Sequence, residues 1–164
     1  AAKYGRRDPE IHYGTNPCSE IILRPYQFCN LSEVVIREKD TQKTVAEKVR
    51  LATILGTWQS TLTDFKYLRK IWKDNTEEER LLGVSLTGQF GNKFFSGKEN
   101  IKKLEETLSG LREYACEINK EVAGKLGISA SAAITCVKPS GTVSQLVGVS
   151  SGTVSYTHLR AHET

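Results

Sequence analysis

Three side chains able to do chemistry alternate along Asn16-Pro17-Cys18-Ser19-Glu20, and a second cysteine, Cys29, follows eleven residues after the first. In an extended chain, residues at i, i+2 and i+4 project to one face, which sets a thiol between a neutral amide and a carboxylate. Such a trio suits one kind of reaction. The sulfur reacts at carbon, the carboxylate takes a proton from an adjacent hydroxyl, and the amide holds the substrate by hydrogen bonds. Pro17 lacks a backbone donor, so the trio belongs on an extended loop tip projecting into a cavity rather than in a central ladder strand. Taken singly, each residue has a plainer role open to it: cysteine often packs as a small hydrophobe, and Asn-Pro commonly opens a turn. The combination points to chemistry.

A second group lies in residues 136–152, CVKPSGTVSQLVGVSSG. An apolar strand runs into Pro139-Ser140-Gly141-Thr142, and Val143 and Ser144 lead toward a helix. Small residues let backbone N–H groups approach a ligand closely, and the first turn of a helix offers free N–H groups to an anion. Lys138 precedes the glycine instead of following it, so this is not a P-loop. On its own the segment reads better as an ordinary strand-to-helix turn rich in turn formers.

The elements that must hold these groups follow from periodicity. Residues 21–23 and 31–36 have strand composition, with Pro25 as a breaker between them. Leu51, Leu55, Trp58, Leu62 and Phe65 recur at spacings of three and four, which predicts one buried helical face over 44–65, capped from residues 40–44. Residues 75–80, NTEEER, read as a short acidic first turn, and 81–88 as a buried strand ending at glycine. Helical spacing returns from Leu104 to Leu126, with Gly127 as the stop. Residues 132–137 form another strand, ended by Pro139. Cys116 on the helix and Cys136 in the strand read as packing residues. The alternation of strand and helix predicts an α/β layer or barrel with parallel strands.

Composition narrows the partners. At 164 residues with 38% hydrophobic content the chain has enough apolar side chains for one core. A net charge of +4 is dispersed among acids, which disfavours a nucleic-acid groove and suits a small anion held by local donors. No apolar run reaches a membrane span and the N-terminus has no apolar signal region, so neither a membrane nor a secretory route is expected. The cytoplasm is the expected compartment. The four cysteines and three histidines show no zinc spacing, so no bound metal is expected. With no methionine anywhere in it, the chain reads as part of a longer protein.

Together, NPCSE, the later Cys29 in QFCNLSEVV, GVSLTG at 83–88 and KPSGTVS at 138–144 resemble the catalytic subunit of ribonucleotide reductase. The resemblance is closest to the adenosylcobalamin-dependent class II enzymes, and it runs in matching order from Gly14 to Gly152. It implies part of a ten-stranded α/β barrel, with the trio on a finger loop at its centre. It further implies that Cys18 carries a thiyl radical, that Glu20 accepts the 3′-hydroxyl proton and that Asn16 hydrogen-bonds the substrate. Cys29 would be one of a redox pair whose other member lies upstream of Ala1. Pro139, Ser140, Gly141, Thr142, Val143 and Ser144 would bind the phosphates of a ribonucleoside di- or triphosphate. The resemblance implies adenosylcobalamin as cofactor, without placing its contacts, and a thioredoxin-like dithiol as reductant.

Under this resemblance residues 1–152 form a partial catalytic barrel domain, while 153–164 match nothing in the family and read as a non-native tail. The chain by itself would then not turn over. The short spacing from Cys18 to Cys29 favours class II over a class I large subunit. A non-catalytic nucleotide-phosphate binding module is the third reading, and it would have no need of Asn16 and Glu20 around Cys18.

Overall fold

A computed structural model describes residues 7–153. The unmatched segment expected from residue 153 onward therefore lies, apart from Thr153, outside the described residues.

The chain opens with a minimal antiparallel hairpin, β1 (Gly14–Thr15) against β2 (Ile22–Leu23), in which Gly14 faces Leu23 and Thr15 faces Ile22. The central pairing is parallel. β3 (Asn30–Val35) and β4 (Leu82–Thr87) run in register from Asn30 opposite Leu82 to Val35 opposite Thr87. The predicted strand at 132–137 lies on the other side of β4 but is less regular than expected. It makes one parallel bridge, Thr135 with Val84, supported by the bonds Leu82 N to Ala133 O (3.0 Å), Val84 N to Ile134 O (2.8 Å) and Cys136 N to Val84 O (3.0 Å). Successive donors on β4 two residues apart meet adjacent carbonyls, so the ladder slips by one residue there, as at a bulge.

Two helices connect the parallel strands. α1 (Gln42–Gln59) starts at the Thr41 cap, whose hydroxyl accepts from Thr44 N while the Thr44 hydroxyl accepts from Thr41 N, a reciprocal capping box. The face that α1 buries is not the predicted one. Val45, Val49, Ala52, Thr53, Gly56 and Thr57 are buried, whereas Leu51, Leu55, Trp58 and Leu62 are 49%, 58%, 54% and 73% exposed. Small and hydroxylated residues let the helix sit close on the sheet. The hydroxyls of Thr53 and Thr57 are satisfied within the helix, donating to Val49 O and Thr53 O at 2.7 Å, so they cost little to bury.

α2 (Lys70–Glu79) also departs from expectation, because NTEEER forms the end of a helix rather than its first turn. Arg80 closes it in the left-handed region, at φ 43°. The last residue of α2, Glu79, is 2% exposed. It receives a two-pronged contact from Arg7 (Nε to Oε1 3.2 Å, Nη2 to Oε2 2.9 Å) and a bond from Gln27 Nε2 at 2.6 Å. A buried carboxylate is tolerable only with such full pairing. The network pins residues 24–29, the lead-in to β3, against α2.

α3 (Ile101–Leu126) begins three residues before the predicted Leu104, at an Asn100 cap, and stops at Gly127 in the left-handed conformation, where the sequence reading places the stop. It packs against α1, and Asn119, fully buried, joins three segments. Its Nδ2 donates to the hydroxyls of Thr57 (2.9 Å) and Ser131 (3.0 Å), while its Oδ1 accepts from Ser131 N (2.8 Å). The core between helices and sheet comprises Val34, Ile36, Val45, Val49, Leu82, Val84, Phe95 and Ile134 with their neighbours. A short helix α4 (Gly141–Leu146) ends the described fold.

Asn119 fixes where the third strand begins, so Asn119→Ala should destabilise the protein by about 2–3 kcal/mol, the cost of leaving buried partners unpaired. Urea denaturation followed by circular dichroism measures it, and a loss below about 0.5 kcal/mol would show the network to be dispensable.

Candidate active site

The trio lies on a loop tip, but the tip is a tight turn and not extended chain. Residues 16–21 form a tight tip between β1 and β2, held by Asn16: its N–H donates to Ile21 O (3.2 Å), its carbonyl accepts from Ser19 N (2.9 Å) and its side-chain Oδ1 accepts from Ile21 N (3.1 Å). Ser19 takes a left-handed φ of 60° to complete the turn. Alternation along a strand is thus not what gathers the three groups. The turn leaves Cys18 exposed and folds Glu20 inward, its side chain 1% exposed.

Glu20 meets a residue from the opposite end of the chain. Lys138 Nζ donates to Glu20 Oε1 at 3.0 Å, while Glu20 Oε2 is buried and has no hydrogen-bond partner. Burial pushes the carboxyl up, but the Glu20 backbone amide, the Asn16 side chain and Lys138 outweigh it and hold the group below the usual carboxylate range. Lys138 rises in turn, chiefly through its hydrogen bond to Glu20, with Cys18 and Cys136 adding to the effect.

Cys29 precedes β3 and is half-buried. Burial first and the Glu20 charge second push its thiol up, against a lowering by Lys138. Cys136, half-buried in the third strand, is pushed to about 11 by burial and then by Glu20, and the nearby Cys29 and Glu33 raise it further. Gly83 makes this crowding feasible: a Cβ there would stand 2.5 Å from Leu31 Cδ2, 3.1 Å from Ile21 Cδ1 and 3.2 Å from Cys136 Sγ. Cys136 is thus packed, as the sequence reading has it, yet it shares its surroundings with Glu20, Lys138 and Cys29. Cys116 packs at the edge of the core.

The loop at 139–144 directly follows Lys138. Ser140 takes a left-handed φ of 55° at the start of α4 and its hydroxyl donates to Glu33 Oε1 on β3. Pro139 is half-buried, Gly141, Thr142 and Val143 are exposed, and Ser144 is buried with an unpartnered hydroxyl. Gly152 closes on this loop from behind. Its N–H donates to Pro139 O at 3.0 Å, and a Cβ on it would stand 2.1 Å from Lys138 O. Only glycine fits there.

The structure therefore brings Asn16, Cys18, Glu20, Cys29 and the Ser140 loop to one region, with Lys138, Glu33 and Cys136 among them. Lys138 entered the sequence reading as an argument against a P-loop and within the KPSGTVS motif, without a role of its own, and Glu33 had no role in it. The signal that could have found Lys138 is its place directly before the Pro-Ser-Gly turn. Two clefts flank the sheet. One of about 340 Å³ is lined by Val84, Leu86, Phe95, Leu111 and Cys136. The other, about 660 Å³, is lined by Glu20, Ile21, Ser131, Arg7, Arg112 and Lys120. No group of three or more His, Cys, Asp or Glu side chains among the described residues could hold a metal ion, and no helix among them is long and apolar enough to cross a membrane.

Comparison with known proteins adds an independent line. No family model matches the chain. The adenosylcobalamin-dependent ribonucleoside-triphosphate reductase of Lactobacillus gasseri is 33% identical over 88% of the chain, and that of Lacticaseibacillus paracasei is 30% identical over 88%. The chain spans 22% of the length of each of these relatives. A solved structure of a B12-dependent, class II ribonucleotide reductase superposes on 87% of the chain, and on 22% of its own, with a TM-score of 0.66 at 23% identity. The fold is thus that of a segment of the class II reductase α/β barrel.

Exposure and charge at the site predict a reactivity order toward iodoacetamide at pH 8: Cys18 first, then Cys29, then Cys136. With a pKa of about 11, about one Cys136 in a thousand is thiolate at that pH. Glu20→Gln removes a charge that raises both inner thiols, so it should speed alkylation of Cys29 and Cys136. Peptide mass spectrometry reads the rates, and equal rates before and after the substitution would show that the carboxylate does not act on these sulfurs.

Proposed function

We propose that this chain, homologous to a segment of the adenosylcobalamin-dependent ribonucleoside-triphosphate reductases, carries the hydrogen-abstracting and proton-accepting half of a ribonucleotide reductase site. The observation that carries the reading is the reach of the hairpin tip: an exposed Cys18 beside a buried, ionised Glu20, with Cys29 close enough to feel that carboxylate.

Each residue has a step. Cys18, as a thiyl radical, takes the 3′-hydrogen atom of the ribose. Glu20, held ionised, takes the 3′-hydroxyl proton, and that shift of charge eases departure of the 2′-hydroxyl as water. Asn16 orients the substrate hydroxyl by hydrogen bonding. Cys29 and a second thiol outside this chain supply two electrons and two protons and become a disulfide. Cys18 then returns the hydrogen atom to C3′, so the sum is one ribonucleotide and two thiols converted to one deoxyribonucleotide, one disulfide and water. Pro139, Ser140, Gly141, Thr142, Val143 and Ser144 carry the phosphates of a ribonucleoside triphosphate, the substrate class in the relatives' name. A thioredoxin-type dithiol re-reduces the pair, and the product serves DNA synthesis in the cytoplasm.

Adenosylcobalamin, when bound, supplies the initial radical through its cobalt–carbon bond. Neither of the two clefts flanking the sheet is lined by Cys18, and no described residue is assigned to holding the cofactor. The raised thiol of Cys29 fits a donor that stays protonated until oxidised.

In the full-length enzyme, Cys18→Ser should lower deoxynucleotide formation by at least about a thousandfold while leaving nucleotide affinity within about twofold. A serine variant that still reduces ribonucleotides would overturn the assignment. Cys29→Ser should permit radical formation but stop multiple turnover with a dithiol reductant, which steady-state assays set against single-turnover product analysis resolve. Product formation should also require added adenosylcobalamin, and formation without it would instead favour a class I enzyme.

A further inference from the structure

Glu20 and Lys138 lie 118 residues apart and meet at 3.0 Å, with 1% and 24% of their side chains exposed. Lys138 engages only one carboxylate oxygen. Oε1 accepts from Lys138, and Oε2 is buried with no partner. An unpaired buried carboxylate oxygen is costly unless something arrives to bond it.

Lys138 itself is fixed from behind. Gly152 presses on its carbonyl, too close for any side chain, and bonds Pro139 O at 3.0 Å. The same return segment is tied to β4, where Ser150 O accepts from Gly88 N at 2.9 Å and from the Thr87 hydroxyl at 3.0 Å. The backbone bearing the ammonium is thus held against the sheet, and the Ser140 loop starts two residues later.

Building on the reading of Glu20 as the base, we propose that Lys138 is a positioning residue that clamps Oε1 of Glu20, leaves Oε2 as the proton-accepting oxygen, and couples the carboxylate to the substrate-phosphate loop. A lysine suits this better than an arginine. Its point charge engages one oxygen, where a guanidinium fork would take both. The groups facing Glu20 come from several elements. Cys136 belongs to the third strand and Lys138 follows it, Cys29 precedes β3, and Cys18 shares the hairpin tip. Arg7, Arg112 and Lys120 line the same cleft, and Arg7 is already committed to Glu79. Lys138 is therefore the cation whose removal most affects the Glu20 carboxyl. With the ammonium gone, the carboxylate is harder to ionise, and the acid limb of activity moves to higher pH.

The test uses the full-length reductase with Lys138→Met, Lys138→Gln, Lys138→Arg and Glu20→Gln. The two neutral variants should bind nucleotide within about twofold of wild type, lose about tenfold or more in kcat at neutral pH, and shift the acid limb of the kcat profile up by about one pH unit. Lys138→Arg should keep the acid limb in place. A folded neutral variant whose acid limb does not move overturns the proposal, whether or not its rate falls. A second measurement needs no lysine variant. Glu20→Gln should speed labelling of Lys138 by a small amine-acylating reagent at pH 9 by about threefold or more, because the ammonium loses its partner; unchanged labelling overturns the clamp. Failure of the underlying reading looks different. If Glu20→Gln itself still reduces nucleotides, the base assignment falls, whereas an inactive Glu20→Gln beside an unaltered Lys138→Met removes the positioning role alone.

Discussion

The parallel ladder of β3, β4 and the strand at 133–136 is the constraint from which the other features follow. Parallel strands cannot be joined by a tight turn, so the chain must leave the sheet and return after each one. α1 and α2 occupy the first excursion and α3 the second. Because all the strands then end on the same side, loops distant in sequence meet at common ends. Cys29 lies at the beginning of β3 and Lys138 just beyond the third strand, yet both reach Glu20 because the hairpin tip lies across the sheet.

Close approach across that sheet is made possible by glycine. Gly83 opens the space in which Ile21, Leu31 and Cys136 meet, and Gly152 lets the returning chain lie on the backbone of Lys138. The hairpin reaches its position through side-chain bonds rather than a long ladder. Two residues per strand give little pairing, so the tip relies on the internal bonds of Asn16 and the Lys138 anchor, with the Arg7, Gln27 and Glu79 network holding the chain just after it. The network is costly to desolvate and contributes chiefly placement.

Elements with strong local signals were legible in the sequence. The Thr41 cap, the Gly127 stop and the apolar run of β4 needed no tertiary information. What could not be read locally was which face of α1 would be buried. Periodicity picks out the largest apolar side chains, but a helix lying close on a sheet selects for small ones, and Ala52, Thr53, Gly56 and Thr57 won that face. The acidic run at 75–80 hid a helix end because Glu79 is neutralised by partners far off in sequence. At the site, the residue types pointed to segments that the fold brings together, while the turn at 17–19 replaced the alternation that first suggested them. The pairing of Lys138 with Glu20 was out of reach because an ion pair spanning more than a hundred residues leaves no periodic trace.

The ridge of Leu51, Leu55, Trp58 and Leu62 stands outside all of this, each side chain about half or more in water. Hydrating such a surface is unfavourable, and greasy patches on free polypeptides relieve the strain by finding one another. The behaviour of this chain at high concentration will accordingly be governed by the outer side of α1 and the turn that follows it, whatever the condition of the sulfur and carboxylate chemistry on the opposite flank.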